Sequence, residues 1–289
     1  MPFATQGDVR LYYEVLGDPA QPAVLLLNGA GKQSVDSPDA FCAAIVARDF
    51  SVVRFDQRDT GLSTGFARAG SDAVGVAAAV AAGQEPALAY RIEALATDAF
   101  AVLNAAGIHH AHLLGRSLGS YVAQLMALDD PGRVASMTLV MAFSRAIGTG
   151  LPLERLQRLD AERFADAKHF ANRQVETARA LGNPEYFDEP LIRAGAVQAF
   201  ERGVPEGSIA RHFMLGLAAP DLRERLGALT LPVQVIHGRM DKVIPLALAE
   251  EAAAAIPNAR LAVLDDMAHE GPPQLWDRWI DLLVANAGR

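Results

Sequence analysis

Short apolar runs alternate with stretches of helical spacing along most of the 289 residues, and one long middle segment breaks that rhythm. Residues 9–15 alternate weakly between apolar and polar, which predicts an early strand ended by the turn Gly17-Asp18-Pro19. Ala23-Val24-Leu25-Leu26-Leu27 is apolar throughout, the pattern of a strand covered on both faces of a parallel sheet, and it runs into Asn28-Gly29-Ala30-Gly31. Ser37-Pro38 reads as the N-cap and first-turn proline of a helix reaching about residue 48. Residues 51–55 form the next buried strand, followed by Asp56-Gln57-Arg58-Asp59-Thr60-Gly61-Leu62-Ser63-Thr64. Residues 66–88 are rich in Ala and Gly and show neither period; a loose helix and an irregular surface excursion both fit. Residues 90–106 place Ile92, Leu95, Ala99, Val102 and Leu103 at helical spacing and stop at Gly107, a suitable residue just past a helix end.

The next apolar run enters Gly115-Arg116-Ser117-Leu118-Gly119, and an amphipathic pattern (Tyr121, Val122, Leu125, Met126) leaves it. That is strand, sharp turn and helix, with a Gly-x-Ser-x-Gly at the turn that throws the serine out at the strand end. Another strand is predicted at residues 135–141. From residue 144 to about 229 no buried strand is visible, and amphipathic helices are punctuated by Gly182-Asn183-Pro184, Pro190, Gly203-Val204-Pro205 and Pro220. The alternation then returns with a strand at 232–236, a helix at 246–256, a strand at 261–264 and a last helix at 273–285. Strands alternating with helices imply a mostly parallel, doubly wound α/β sheet. The expected organisation is a core of residues 1–143 and 230–289, with residues 144–229 inserted as a helical cap.

In open parallel sheets ligands bind at the carboxyl ends of the strands, so the residues standing just after each strand carry the argument. Ser117 follows one strand. His237-Gly238-Arg239-Met240-Asp241-Lys242-Val243-Ile244-Pro245 follows another and offers Asp241, and Asp265-Asp266-Met267-Ala268-His269-Glu270 follows the last and offers His269. A serine hydroxyl is a poor nucleophile until an imidazole takes its proton, and the imidazole needs a carboxylate to hold its tautomer and orientation. Ser117, His269 and Asp241 are therefore expected as nucleophile, base and orienting acid. Asp265 and Asp266 are closer in sequence to His269, but directly after a strand they suit a solvated turn. The loop Asn28–Gly31 stands at a fourth strand end, and the backbone N–H groups of Ala30 and Leu118 are expected to face a developing oxyanion.

Taken together, Gly115-Arg-Ser117-Leu-Gly119, the His237-Gly238…Asp241…Pro245 loop and the late His269 resemble the α/β-hydrolase-fold serine hydrolases over essentially the whole chain. The Asp56-Gln-Arg58-Asp-Thr-Gly61-Leu-Ser63-Thr segment with its Ala/Gly-rich continuation is similar to the aclacinomycin-methylesterase-like group. That resemblance implies a carboxylic ester substrate, small to medium and largely apolar, with methyl esters included, hydrolysed through an acyl-enzyme. The same triad also serves lactones, carbon–carbon bonds and cofactor-free perhydrolysis in related chains, and a ligand-binding protein with little turnover is the alternative of another class. Two positions depart from the family pattern: Asn28 stands where many relatives have His, and Ala268 where they commonly have Gly.

Composition narrows the partners. A formal charge of −8, only three lysines (Lys32, Lys168, Lys242) and no basic run argue against nucleic acid or an anionic membrane surface. The single cysteine, Cys42, excludes an intrachain disulfide and suits a reducing, cytoplasmic setting, with neither a signal region nor a bilayer-length apolar run in the sequence. His109, His110 and His112 cluster at a helix-to-strand connection on the end of the sheet away from the nucleophile, so solvated surface is expected there and no metal or other cofactor. His237 suits a loop brace, and the Asp56–Ser63 segment a structural turn buttressing the site through Asp56 and Arg58. Arg116 contacts substrate or pairs with an acid on the cap; both remain open. In the insertion Phe213 and Met214, with Phe143 just before it, are the expected pocket lining. A monomer or homodimer acting on a small-molecule ester is the resulting expectation.

Overall fold

A computed structural model describes residues 2–148 and 152–288. Residues 1 and 289, the outer limits of the expected core, and residues 149–151 of the expected cap lie outside the described residues.

Eight strands make one sheet: β1 (Phe3–Gln6), β2 (Val9–Leu16), β3 (Ala23–Leu27), β4 (Ser51–Phe55), β5 (Ala111–Arg116), β6 (Val134–Val140), β7 (Val233–Gly238) and β8 (Ala259–Leu264). Their order across the sheet is β1-β2-β4-β3-β5-β6-β7-β8. β1 and β2 pair antiparallel, as do β2 and β4, and every remaining pairing is parallel. The helices between strands are α1 (Asp39–Val46), α2 (Ala73–Ala81), α3 (Glu93–Ala105), α4 (Leu118–Asp129) and α10 (Leu246–Ala255), and α11 (Trp276–Asn286) follows β8. Between β6 and β7 run α5 (Leu153–Ala161), α6 (Ala167–Leu181), α7 (Glu189–Arg202), α8 (Ser208–Leu217) and α9 (Arg223–Leu226).

The continuous apolar strands are explained by cover on both faces. Leu25 and Leu27 of β3 and Leu113 of β5 join Leu95, Val102, Val122, Leu125 and Ala249 in the larger core. The alternate residues Val24, Leu26 and Leu114 face Phe41, Cys42, Ile45, Ile280 and Leu283 of α1 and α11. Each fully covered leucine contributes roughly 1.5–3 kcal/mol. Helix α4 is buried from Leu118 to Ala127, so the turn that precedes it has little freedom to shift.

Two local readings change, and one left open between helix and irregular excursion becomes a helix. β1 is a further strand at the antiparallel edge, four residues long and too short to show a period. The Ala/Gly-rich stretch holds α2, capped by Asp72, whose carboxylate accepts from Gly75 N–H. Ala73 and Val76 of α2 pack with Leu156 of α5 and Met214 and Leu217 of α8, so its apolar surface is consumed by the inserted helices rather than by the sheet. Ser37 does not cap α1: Pro38 occupies the N-cap position, and the Ser37 hydroxyl donates to Asn28 Oδ1 at 3.0 Å.

The chain passes from β3 outward to β4 and then returns across β3 to β5, which makes the carboxyl ends of β3 and β5 the crevice of the sheet. Leu27 is in register with Gly115. The Asn28–Gly31 loop therefore leaves the sheet beside Arg116 and Ser117.

Candidate active site

Ser117 is the first residue past β5 and sits at φ +52°, ψ −118°, outside the ordinary regions for a residue with a side chain. Such strain persists only where the surroundings dictate it. Here the glycines on either side make it possible. A β-carbon on Gly115 would stand 2.4 Å from Gly119 O, and one on Gly119 would stand 2.0 Å from Leu27 O. Ser117 N–H donates to Val140 O at 2.9 Å, and the Ser117 carbonyl accepts from Ser120 Oγ at 2.6 Å. Below it Gln124 donates to Ser120 O and Phe143 O and accepts from Ser144 Oγ, a buried polar ladder that pins the start of α4.

Asp241 and His269 meet. His269 Nδ1 lies 2.8 Å from Asp241 Oδ2, while Asp241 Oδ1 accepts from Val243 N–H at 2.8 Å and Ile244 N–H at 2.9 Å. The Asp241 side chain is wholly buried and that of His269 is 14% exposed. Burial would raise the Asp241 carboxyl, but the His269 hydrogen bond and charge and the two N–H donors together hold it below the usual carboxylate range. The rival acids are engaged elsewhere. Asp265 pairs with Arg239 on the surface, and Asp266, held down at about 2 by Arg278 and the Tyr186 hydroxyl, pairs with both. His237 donates from Nε2 to Ile244 O at 3.0 Å, bracing the loop that carries Asp241.

The serine and histidine loops adjoin through Arg116: its Nη1 is 3.4 Å from where a β-carbon of Gly271, two residues past His269, would stand. Among the described residues the protein partners of Arg116 are not an acid of the helices between β6 and β7. Arg116 reaches across to the loop after β3, donating to Asn28 Oδ1, Asp36 O and Ser37 Oγ. Burial pulls its pKa below the usual arginine value, with the charges of Asp36 and Glu270 opposing. Asn28 in turn donates from Nδ2 to Gln33 O at 2.6 Å, so an amide does bracing work at this position. Gly29 is against the nucleophile, its absent β-carbon 3.4 Å from Ser117 Cβ.

The Asp56–Ser63 turn buttresses this loop from behind. Asp56 accepts from Ser34 N–H, Leu62 N–H and Arg202, while Arg58 makes a two-pronged pair with Asp98 at 2.6 and 2.8 Å. Sequence reasoning missed the inserted helices' share of this work: Arg202 at the end of α7, and Arg211 and His212 on α8. A signal existed, since Arg211-His212 is a polar pair between the apolar residues Ile209 and Phe213 of a buried helix.

Of the expected pocket lining, Phe143 stacks on Tyr121 at 5.3 Å and is 2% exposed. Met214 is buried in the cluster that joins α2, α5 and α8, and Phe213 packs half-buried against it. His112 bonds Ser136 Oγ through Nδ1 at 2.8 Å. The Cys42 thiol is buried against Ser37 O, and burial pushes it up to about 11, far from reactive. Among the described residues no helix is long and apolar enough to cross a membrane.

Comparison with known proteins shows where the chain's relatives lie. The chain is 28% identical to rhodomycin D methylesterase DauP of Streptomyces sp. (strain C5) and 29% identical to rhodomycin D methylesterase DnrP of Streptomyces peucetius; each alignment covers 93% of this chain and 91% of the relative. Among solved structures it is similar to the enol-lactonase from Burkholderia xenovorans LB400, with a TM-score of 0.78, 21% identity and all of both chains covered. A family model described as alpha/beta hydrolase fold matches residues 22–273, and the chain belongs to that family.

Proposed function

We propose that the protein is a serine carboxylic-ester hydrolase working through an acyl-enzyme on Ser117. The observation that carries this reading is the Asp241–His269 pair at 2.8 Å, with the second carboxylate oxygen locked by two backbone donors. With Nδ1 of His269 turned to Asp241, Nε2 is the ring nitrogen left to serve the serine. In acylation Ser117 Oγ attacks the ester carbonyl as its proton passes to His269 Nε2, and Asp241 stabilises the imidazolium. The carbonyl oxygen becomes an oxyanion facing the N–H groups of Ala30 and Leu118; Leu118 is the first residue of α4, where an N–H has no partner within the helix. Collapse expels the alcohol, protonated by His269. Water then attacks the acyl-enzyme by the same route in reverse roles, releasing the acid and restoring Ser117.

The similarity to two methylesterases supports an ester substrate, and we infer a methyl or other small alkyl ester of a largely apolar acid held beneath the helices between β6 and β7. Phe143 and Met214 are already covered by neighbouring side chains, so substrate contact through them requires those helices to move.

A panel of methyl, aryl and alkyl esters, run with the wild type and Ser117→Ala, tests the proposal. The expected result is a loss of about 10³-fold or more in kcat with unchanged circular dichroism. Undiminished turnover in the variant would overturn it.

A further inference from the structure

His212 has no place in the mechanism above, yet it is wholly buried, and both ring nitrogens are committed to backbone groups of the site's framework. Gly31 N–H lies 3.1 Å from Nδ1, and Nε2 lies 2.9 Å from Arg58 O. These partners leave no choice of tautomer. A backbone N–H can only donate and a carbonyl can only accept, so the ring is neutral, with its proton on Nε2. Burial lowers its pKa, which favours the same neutral form. The charged and titratable groups around it are Arg58 and Asp59 on the turn after β4, Arg211 on its own helix, and Tyr90 ahead of α3, whose ring stands edge-on at 6.2 Å.

The neighbouring contacts explain why the ring cannot drift. Arg211, adjacent on α8, is locked to Asp59, and one turn earlier Ile209 lies against Gly31, its Cγ1 2.8 Å from where a β-carbon would stand. One helix face thus clamps Gly31 from above while Asn28, Arg116 and Gln33 fix the loop's other end. Between those two anchored ends lie only Gly29, against Ser117, and Ala30.

We propose that His212 is a positioning residue for catalysis: by accepting the Gly31 N–H it fixes the peptide plane that follows Ala30, and so aims the Ala30 N–H at the oxyanion. The inference rests on the reading that Ala30 and Leu118 form the oxyanion hole. Its specific content is that an acceptor at the Nδ1 position matters for the transition state, and that α8 supplies it from 181 residues away in sequence.

Two near-isosteres separate this role from simple packing. Asparagine places its side-chain oxygen near the histidine Nδ1 position and preserves an acceptor for Gly31, whereas glutamine reaches the Nε2 position and preserves the donor to Arg58. His212→Gln is expected to lose about tenfold or more in kcat with little change in KM. Affinity for a trifluoromethyl ketone, whose adduct with Ser117 carries the oxyanion, is expected to fall in parallel. His212→Asn is expected to recover most of both. Equal losses in the two variants, or unchanged kcat and ketone affinity in His212→Gln, would overturn the inference. Turnover persisting in Ser117→Ala would instead overturn the reading beneath it, and this inference with it.

Discussion

Asp59 and Arg211 face each other across the junction between the turn after β4 and helix α8, in a two-pronged pair with Nε–Oδ2 at 2.5 Å and Nη2–Oδ1 at 2.9 Å. Their side chains are at most 1% exposed. Further partners surround the pair: Asp59 accepts from Tyr90 Oη and Phe66 N–H, and Arg211 donates to Gly70 O and Glu206 O. A buried pair of this kind contributes little net stability, but breaking it leaves a charge in the interior. Asp59→Ala and Arg211→Ala should each cost about 3–5 kcal/mol in urea unfolding, and Arg211→Met combined with Asp59→Leu should cost less than either.

The assignment of the orienting acid yields a sharper comparison. Asp241→Asn should keep the fold and lower kcat by about 10⁴-fold, because an amide no longer selects the histidine tautomer that leaves Nε2 free to take a proton. Asp265→Asn, on a side chain 81% exposed and paired with Arg239 on the surface, should leave kcat unchanged. Steady-state kinetics on one ester substrate checks both.

Stability should fall on mild acidification. His212 and His237 are wholly buried, and burial holds both below the ordinary value of 6.5. An unfolded chain therefore takes up protons near pH 6.5 that the folded chain refuses. The contribution of each histidine is complete above pH 6.5 and is lost as the pH drops from there toward its folded value, at most about 1.4 kcal/mol per unit each. Urea midpoints measured between pH 8 and pH 5 should decline below 6.5, and less steeply in His212→Asn.

Ser117, Asp241 and His269 are legible as strand-end residues because each stands at or within a few residues of the end of an apolar run, and strand ends in a parallel sheet converge on one edge, where the structure joins Asp241 to His269. The Asn28–Gly31 loop is legible in the same way, as a strand-end turn beside Ser117. Other features are not. α2 is built from Ala, Val and Gly without a polar face, since it is packed against α5 and α8, and periodicity needs a wet side to register. Ser37 followed by Pro38 looked like a helix start by local chemistry, but the hydroxyl was claimed by Asn28, nine residues back. The partners of Asp59 and Gly31 lie 152 and 181 residues further along the chain, on a helix whose own pattern is only that of an apolar helix. Pairings of that range are made by the fold, and Arg116 illustrates the same point within the nucleophile motif itself.

The ties from the inserted helices end on two short turns, and that has a bearing on modularity. Arg202 satisfies Asp56, Arg211 satisfies Asp59, and Gln33 is capped by the carbonyls of Ala199 and Gly203. Excising residues 144–229 would take Arg202 and Arg211 away from two carboxylates that are now 0% exposed and release the loop beside the nucleophile. The helices between β6 and β7 thus brace the framework of the site. Replacing these helices with others is expected to keep this chain folded only where the replacements again supply partners for Asp56 and Asp59, which thermal unfolding of the chimaera checks.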